Sequence, residues 1–102
     1  MKVFLKTKSG ANAVGDFDIQ TKSLTVKKGS TVSPDIHSSK KFRGTKTIEK
    51  YRAQYCDGLV TTADVSFKSA STAANFVTGR STNGLITWKD GDGRTLKSLI
   101  SE

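Results

Sequence analysis

The chain has 102 residues, the length of one domain, and its 17 Lys and Arg against 9 Asp and Glu give a formal charge of +8. Val, Ile, Leu and Phe together number 23, just above the level of roughly 20% below which a chain of this kind stays disordered; a folded domain with a modest core is expected. The single cysteine, Cys56, excludes an internal disulfide or a cysteine metal cluster within one chain, and apolar runs of only a few residues exclude a transmembrane helix.

Val3-Phe4-Leu5 suits a strand, Ala13–Asp18 a second, and Ser23–Val26 a third, with Leu24 and Val26 on one face at period two. Ser9-Gly10 and Gln20–Ser23 supply the breaks, and connections this short join antiparallel strands. Residues 27–44 are polar and basic, hold the only proline, and read as a long surface loop. Thr45 or Thr47 is placed to cap a helix reaching about Cys56, in which Ile48, Tyr51 and Tyr55 form one apolar face. Asp57-Gly58 stops it. Leu59-Val60 begins an extended piece, Thr61–Asp64 turns, and Val65 and Phe67 continue at period two, which predicts a hairpin.

Ser69 is a good N-cap for a helix over Ala70–Thr78, with Ala73, Ala74 and Val77 as its apolar stripe and Gly79 as its left-handed stop. Asn83-Gly84 predicts a tight turn, because both residues tolerate positive φ, followed by a strand over Leu85–Trp88. Leu96, Leu99 and Ile100 predict a short closing helix. The pattern describes a single α+β domain over residues 1–102, an antiparallel sheet of short strands packed against two helices.

Residues 67–89 carry the most specific features, and here the chain resembles a bacterial and archaeal family, the domain of unknown function numbered 4357. Phe67, Ser69, Ser71, Ala73, Ala74, Gly79, Arg80, Ser81, Asn83, Gly84, Trp88 and Lys89 stand where that family's pattern has them. Val26–Ser30 and the stretch from Tyr51-Arg52 to Gly58-Leu59-Val60 are similar to further parts of it. Ala70 stands where the family usually has proline, and Leu85 where it usually has tryptophan. The resemblance implies a nucleic-acid-associated context, since such domains often follow GIY-YIG nuclease domains or occur in restriction-modification systems. The restriction-enzyme and adenine-methylase-associated domains have a similar core.

The charge excess is one-sided: residues 1–56 hold twelve Lys and Arg against four acids, and residues 57–102 hold five of each. A basic half beside a neutral half suits a polyanion; its plain alternative is a set of lysines that keeps a small protein soluble. Lys27, Lys28, Lys40, Lys41, Arg43, Lys46, Lys50 and Arg52 are the candidate phosphate contacts, with Arg80, Ser81 and Asn83 as candidate specificity contacts. The alternative for the last three is that Ser81 and Asn83 satisfy turn backbone and Arg80 pins the turn. Trp88 reads as core or as a stacking platform. His37 beside Asp35 has no second histidine and no partner at a telling spacing, and Asp90-Gly91-Asp92-Gly93 lacks the downstream glutamate of a calcium loop and reads as a turn.

The expected function is a non-enzymatic nucleic-acid-binding accessory module without a cofactor. DNA is expected over RNA, a DNA-processing enzyme is the expected associate, and no membrane is involved. The alternative is a structural or protein-interaction module whose basic face meets an acidic protein. Met1–Gly10 is too short and polar for a secretory signal, so a cytoplasmic location is expected.

Overall fold

The computed structural model describes residues 1–8, 10–34, 45–80 and 82–100. Its strands are β1 (Lys2–Lys6), β2 (Asn12–Phe17), β3 (Leu24–Val26), β4 (Cys56–Asp57), β5 (Val60–Thr61) and β6 (Val65–Phe67); its helices are α1 (Thr45–Tyr55), α2 (Ala70–Thr78), α3 (Gly84–Thr87) and α4 (Leu96–Ile100). An antiparallel sheet runs in the order β1-β2-β3-β6, and β4 and β5 form a separate two-residue ladder. The fold is α+β, as the patterning predicts. Among the described residues no helix is long and apolar enough to cross a membrane.

Register sorts the sheet into two faces. Val3 pairs with Gly15, Gly15 with Val26 and Val26 with Val65, while Phe17 pairs with Leu24 and Leu24 with Phe67. These residues are buried beneath α2, whose Ala73, Ala74, Phe76 and Val77 complete the core. The opposite rows, Lys2 with Asp16 and Thr25 with Ser66, face away, because strand side chains alternate. Tyr51 of α1 sits 5.2 Å from Phe67 and 6.4 Å from Phe76 between ring centroids, so α1 lies on the helical side of the sheet.

The capping expectations for α2 hold. The Ser69 hydroxyl accepts the Thr72 N–H at 3.1 Å, and Gly79, at φ 75°, donates its N–H to the Asn75 carbonyl at 2.8 Å.

Three expectations give way. Residues 61–64 do not join a hairpin: β5 turns back on β4 and β6 is claimed by β3, so the strands on either side of that turn belong to different ladders. Asn83-Gly84 is not a positive-φ turn and Leu85–Trp88 is not a strand. Asn83 (φ −80°) accepts the Leu85 N–H on its side chain at 3.0 Å and caps α3, a single helical turn. Gly84 is required for closeness instead, since a Cβ there would run into the Ala70 carbonyl and the Ser71 amide. The two main helices are thus accompanied by two short ones, of which the closing α4 was expected and α3 was not.

The third concerns the expected surface loop, whose described part, residues 27–34, runs into the interior. Ser30, Val32 and Ser33 are buried. Ser30 and Thr61 weld the turn: the Ser30 hydroxyl donates to the Lys27 carbonyl at 2.7 Å, the Thr61 hydroxyl to the same carbonyl at 3.0 Å, and the Ser30 N–H to the Thr61 hydroxyl oxygen at 3.0 Å. Thr31 then bridges Asn12 and Val60. Short hydroxyl side chains let this strip enter the interior because their polar atoms find partners there.

Candidate nucleic-acid interface

Trp88 belongs to the core. It is fully buried, and its indole Nε1–H donates to the Ala70 carbonyl at 3.1 Å. Gly15 makes room for it: a Cβ there would lie 2.8 Å from Leu24 Cδ2 and 3.3 Å from Trp88 Cζ3. A ring so enclosed offers no face to a base, which removes the stacking-platform reading. Tyr51 and Tyr55 are half-buried, their rings stacked at 6.0 Å, as helix-face packing predicts.

The basic set is divided by the sheet. Lys46 and Lys50 are exposed on α1, on the helical side. Lys27 follows buried Val26 and so projects on the other side, where its Nζ meets the Asp64 carboxylate at 3.0 Å. The Lys28 N–H donates to the same carboxylate at 2.7 Å. These two bonds, the backbone one foremost, hold the Asp64 carboxyl below its usual range.

Arg52 points inward. Its Nε and Nη2 donate to the Phe76 carbonyl at 3.2 and 3.0 Å, Nη2 also to the Val77 carbonyl at 3.3 Å, and Nη1 to the Ser33 carbonyl at 2.7 Å. It closes the C-terminal end of α2, where a cation is favoured by the helix dipole, and ties it to the buried 30–33 strip. Its burial pulls the guanidinium below the usual arginine value. Cys56, half-buried beside it, has its thiol pushed up by the same burial and is a poor nucleophile for it.

Arg80 stands just past the end of α2 and is exposed, and its side chain has no hydrogen-bond or ion-pair partner among the described residues. It shares a cleft of about 340 Å³ with Lys8 and the threonines Thr7, Thr78, Thr82 and Thr87. Thr78 and Asn75, which sequence reading passed over, build the turn behind Arg80. The Thr78 hydroxyl donates to the Ala74 carbonyl at 2.8 Å, and Asn75 Oδ1 accepts the Thr82 N–H at 2.8 Å. Asn83 spends its side-chain oxygen on the α3 cap, the backbone-satisfying alternative. Lys40, Lys41, Arg43, His37 and Ser81 lie outside the described residues.

Two further groups are settled by geometry. Asp90 accepts the N–H groups of Asp92 and Arg94 on one oxygen, both at 2.9 Å, and Arg94 Nε on the other at 3.1 Å; the Asp-Gly repeat is a turn. Between α1 and α2, Ile48, Tyr51, Phe67 and Phe76 wall a recess of about 240 Å³ with Thr47, Thr72 and Asn75.

Lys2, Lys6 and Lys8 escape a sequence reading that takes Val3-Phe4-Leu5 as an apolar run. The signal is nonetheless there: Lys2-Val3-Phe4-Leu5-Lys6 alternates, so its two lysines and its phenyl share the side that Val3 and Leu5 do not.

The sequence pattern of a family described as a domain of unknown function, DUF4357, matches residues 3–100. No curated protein and no solved structure matches the chain.

Proposed function

The chain belongs to the DUF4357 family, and from that premise we propose that it is a nucleic-acid-binding accessory module with no chemistry of its own. The observation that carries this reading is the pairing of Arg80 with Lys8 in one hydroxyl-lined cleft, neither cation holding a carboxylate among the described residues. A planar guanidinium beside an ammonium suits a phosphate diester. The wider charge balance supports it. Asp16, Asp64, Asp90 and Asp92 are each already held by an ammonium or guanidinium group, whereas Lys46 and Lys50 are exposed with no carboxylate in ion-pair range among the described residues. The excess charge left on the surface is positive.

On this reading phosphates supply most of the affinity and little sequence is read. Arg52 takes no part, being held by backbone carbonyls. The module would act in the cytoplasm beside a DNA-processing enzyme, such as a restriction-modification system, with DNA favoured over RNA. Titration of duplex and single-stranded DNA at two salt concentrations tests it: affinity falls steeply with salt, and Lys8→Ala and Arg80→Ala each weaken it. Absence of binding at low salt ends the proposal. Recovery of an acidic protein that stays bound after nuclease treatment would favour the protein-interaction alternative.

A further inference from the structure

We propose that the open face of the four-stranded sheet is a platform for single-stranded nucleic acid, with Phe4 as the ring on which a base stacks. This rests on the nucleic-acid reading above and gives it a face and a strand state.

Val3 and Leu5 enter the core, so Lys2, Phe4 and Lys6 stand on the opposite side of β1. Lys89 joins them along the free edge of β1. It is paired with Phe4 by two backbone bonds of 2.7 and 3.0 Å, and directly paired residues share a face. Its neighbour Trp88, turned the other way, is in the core. A half-buried phenyl thus has exposed ammonium groups before it, after it and beside it. The described helices lie on the other side: α1 and α2 pack over the core, and Leu85 of α3 and Leu96 of α4 join the same core.

The charge on this face is available. Among the described residues no carboxylate lies within ion-pair range of Lys2, Lys6 or Lys89. Of the acids that alternation puts on this side, Asp16 is held by the amino-terminal ammonium at 2.9 Å and Asp64 by Lys27 at 3.0 Å, while Asp18, just past the end of β2, accepts the Gln20 N–H at 2.9 Å. The Lys2 Nζ rests 5.5 Å from the Phe4 ring centroid, a weak exposed contact that a nucleobase displaces.

Spacing and shape choose the ligand. At about 3.3 Å per residue, Lys2 and Lys6 are roughly 13 Å apart along the strand with Phe4 midway. Phosphates on either side of a base on the ring then fall within the reach of a lysine side chain. Lys8, two residues past the end of β1, lies in the Arg80 cleft and is a separate group of the molecule from this face. In a duplex the base faces are stacked away inside; an aromatic ring on a sheet face reaches a base face only in an unpaired strand.

The test titrates the full chain with labelled oligothymidylate, oligouridylate and a duplex of matched length. The single strands bind more tightly than the duplex. Phe4→Leu weakens single-strand binding about tenfold and leaves duplex binding nearly unchanged. Lys2→Glu with Lys6→Glu lowers the dependence of log affinity on log salt by about 0.7 for each phosphate no longer neutralised. Thermal melts accompany each variant; should Phe4→Leu unfold the protein, the exposed lysine pair carries the test. If the duplex binds more tightly, or if both sets of variants bind like the parent while Lys8→Glu with Arg80→Glu abolishes binding, the platform is wrong and the cleft reading stands. If the parent protein binds none of the three probes, both readings fall.

Discussion

Arg52 grips the carbonyl of Phe76 with two guanidinium nitrogens, at 3.2 and 3.0 Å. One more nitrogen reaches Ser33. Three parts of the chain far apart in sequence therefore meet on one cation, and the orphan carbonyls at the end of α2 are satisfied without water. Loss of that cation leaves buried acceptors unpaired. Arg52→Met is expected to destabilise the fold by about 2–3 kcal/mol. Arg52→Lys restores little of it, because an ammonium cannot reproduce the planar fork. Urea unfolding measures both. In variants that remain folded, the salt dependence of nucleic-acid binding stays that of the parent, a result that separates this arginine from Arg80.

Gly84 and Gly91 make a matched pair of tests. A Cβ at Gly84 meets the Ala70 carbonyl and Ser71 amide, which are backbone and cannot swing aside; a Cβ at Gly91 meets nothing within 4 Å. Gly84→Ala is expected to cost about 3 kcal/mol, and Gly91→Ala to change stability by less than about 0.5 kcal/mol. Equal melting temperatures for the two variants would contradict the close approach of α3 to the start of α2.

Asp90 makes stability fall in acid. The N–H of Arg94 is the largest cause holding its carboxyl below the usual value of 3.8, followed on the same side by the N–H of Asp92 and the Arg94 charge. A carboxyl whose pKa is lower in the folded than in the unfolded chain stabilises the fold fully above 3.8. That contribution is lost as the pH falls through the lowered folded value. Asp16 and Asp64 act in the same direction. Asp90→Asn should therefore destabilise at neutral pH, with the gap to the parent closing as urea melts are repeated well below pH 3.8. A gap that does not change with pH would show that Asp90 acts through its shape alone.

Arg80 and Lys8 are exposed, and their side chains hold no carboxylate among the described residues. Their alanine variants should melt within about 0.5 kcal/mol of the parent. If each cation contacts one phosphate of duplex DNA, each replacement lowers the salt slope by about 0.9. An unchanged slope in the double variant would remove the cleft from the binding surface.

How much of this was legible beforehand depends on the range of the interaction that decides each element. The α2 helix could be placed to the residue because its signals are local: a hydroxyl at the cap, small apolar residues on one face, a glycine that tolerates φ 75°. The first three strands followed from alternation and short turns. Gly84 misled because two different needs select glycine. Positive φ is a property of one residue and its neighbours, whereas here Ala70, distant in sequence, excludes a side chain. Arg52 misled for the same reason, since nothing near it in the chain announces the carbonyls of Phe76 and Ser33.

By itself, then, the order of residues determined the α+β class, the caps of α2, the strand alternation and the excess of positive charge, all of which depend on neighbours along the chain. Tertiary structure alone decided where that charge goes. Folding turned Arg52 inward to cap a helix, placed Lys27 and Lys50 on opposite sides of the sheet, and brought Arg80 from beyond α2 to Lys8 from beyond β1. Side chains of identical chemistry received different tasks because burial and partners are set by contacts between distant segments, which no local pattern encodes.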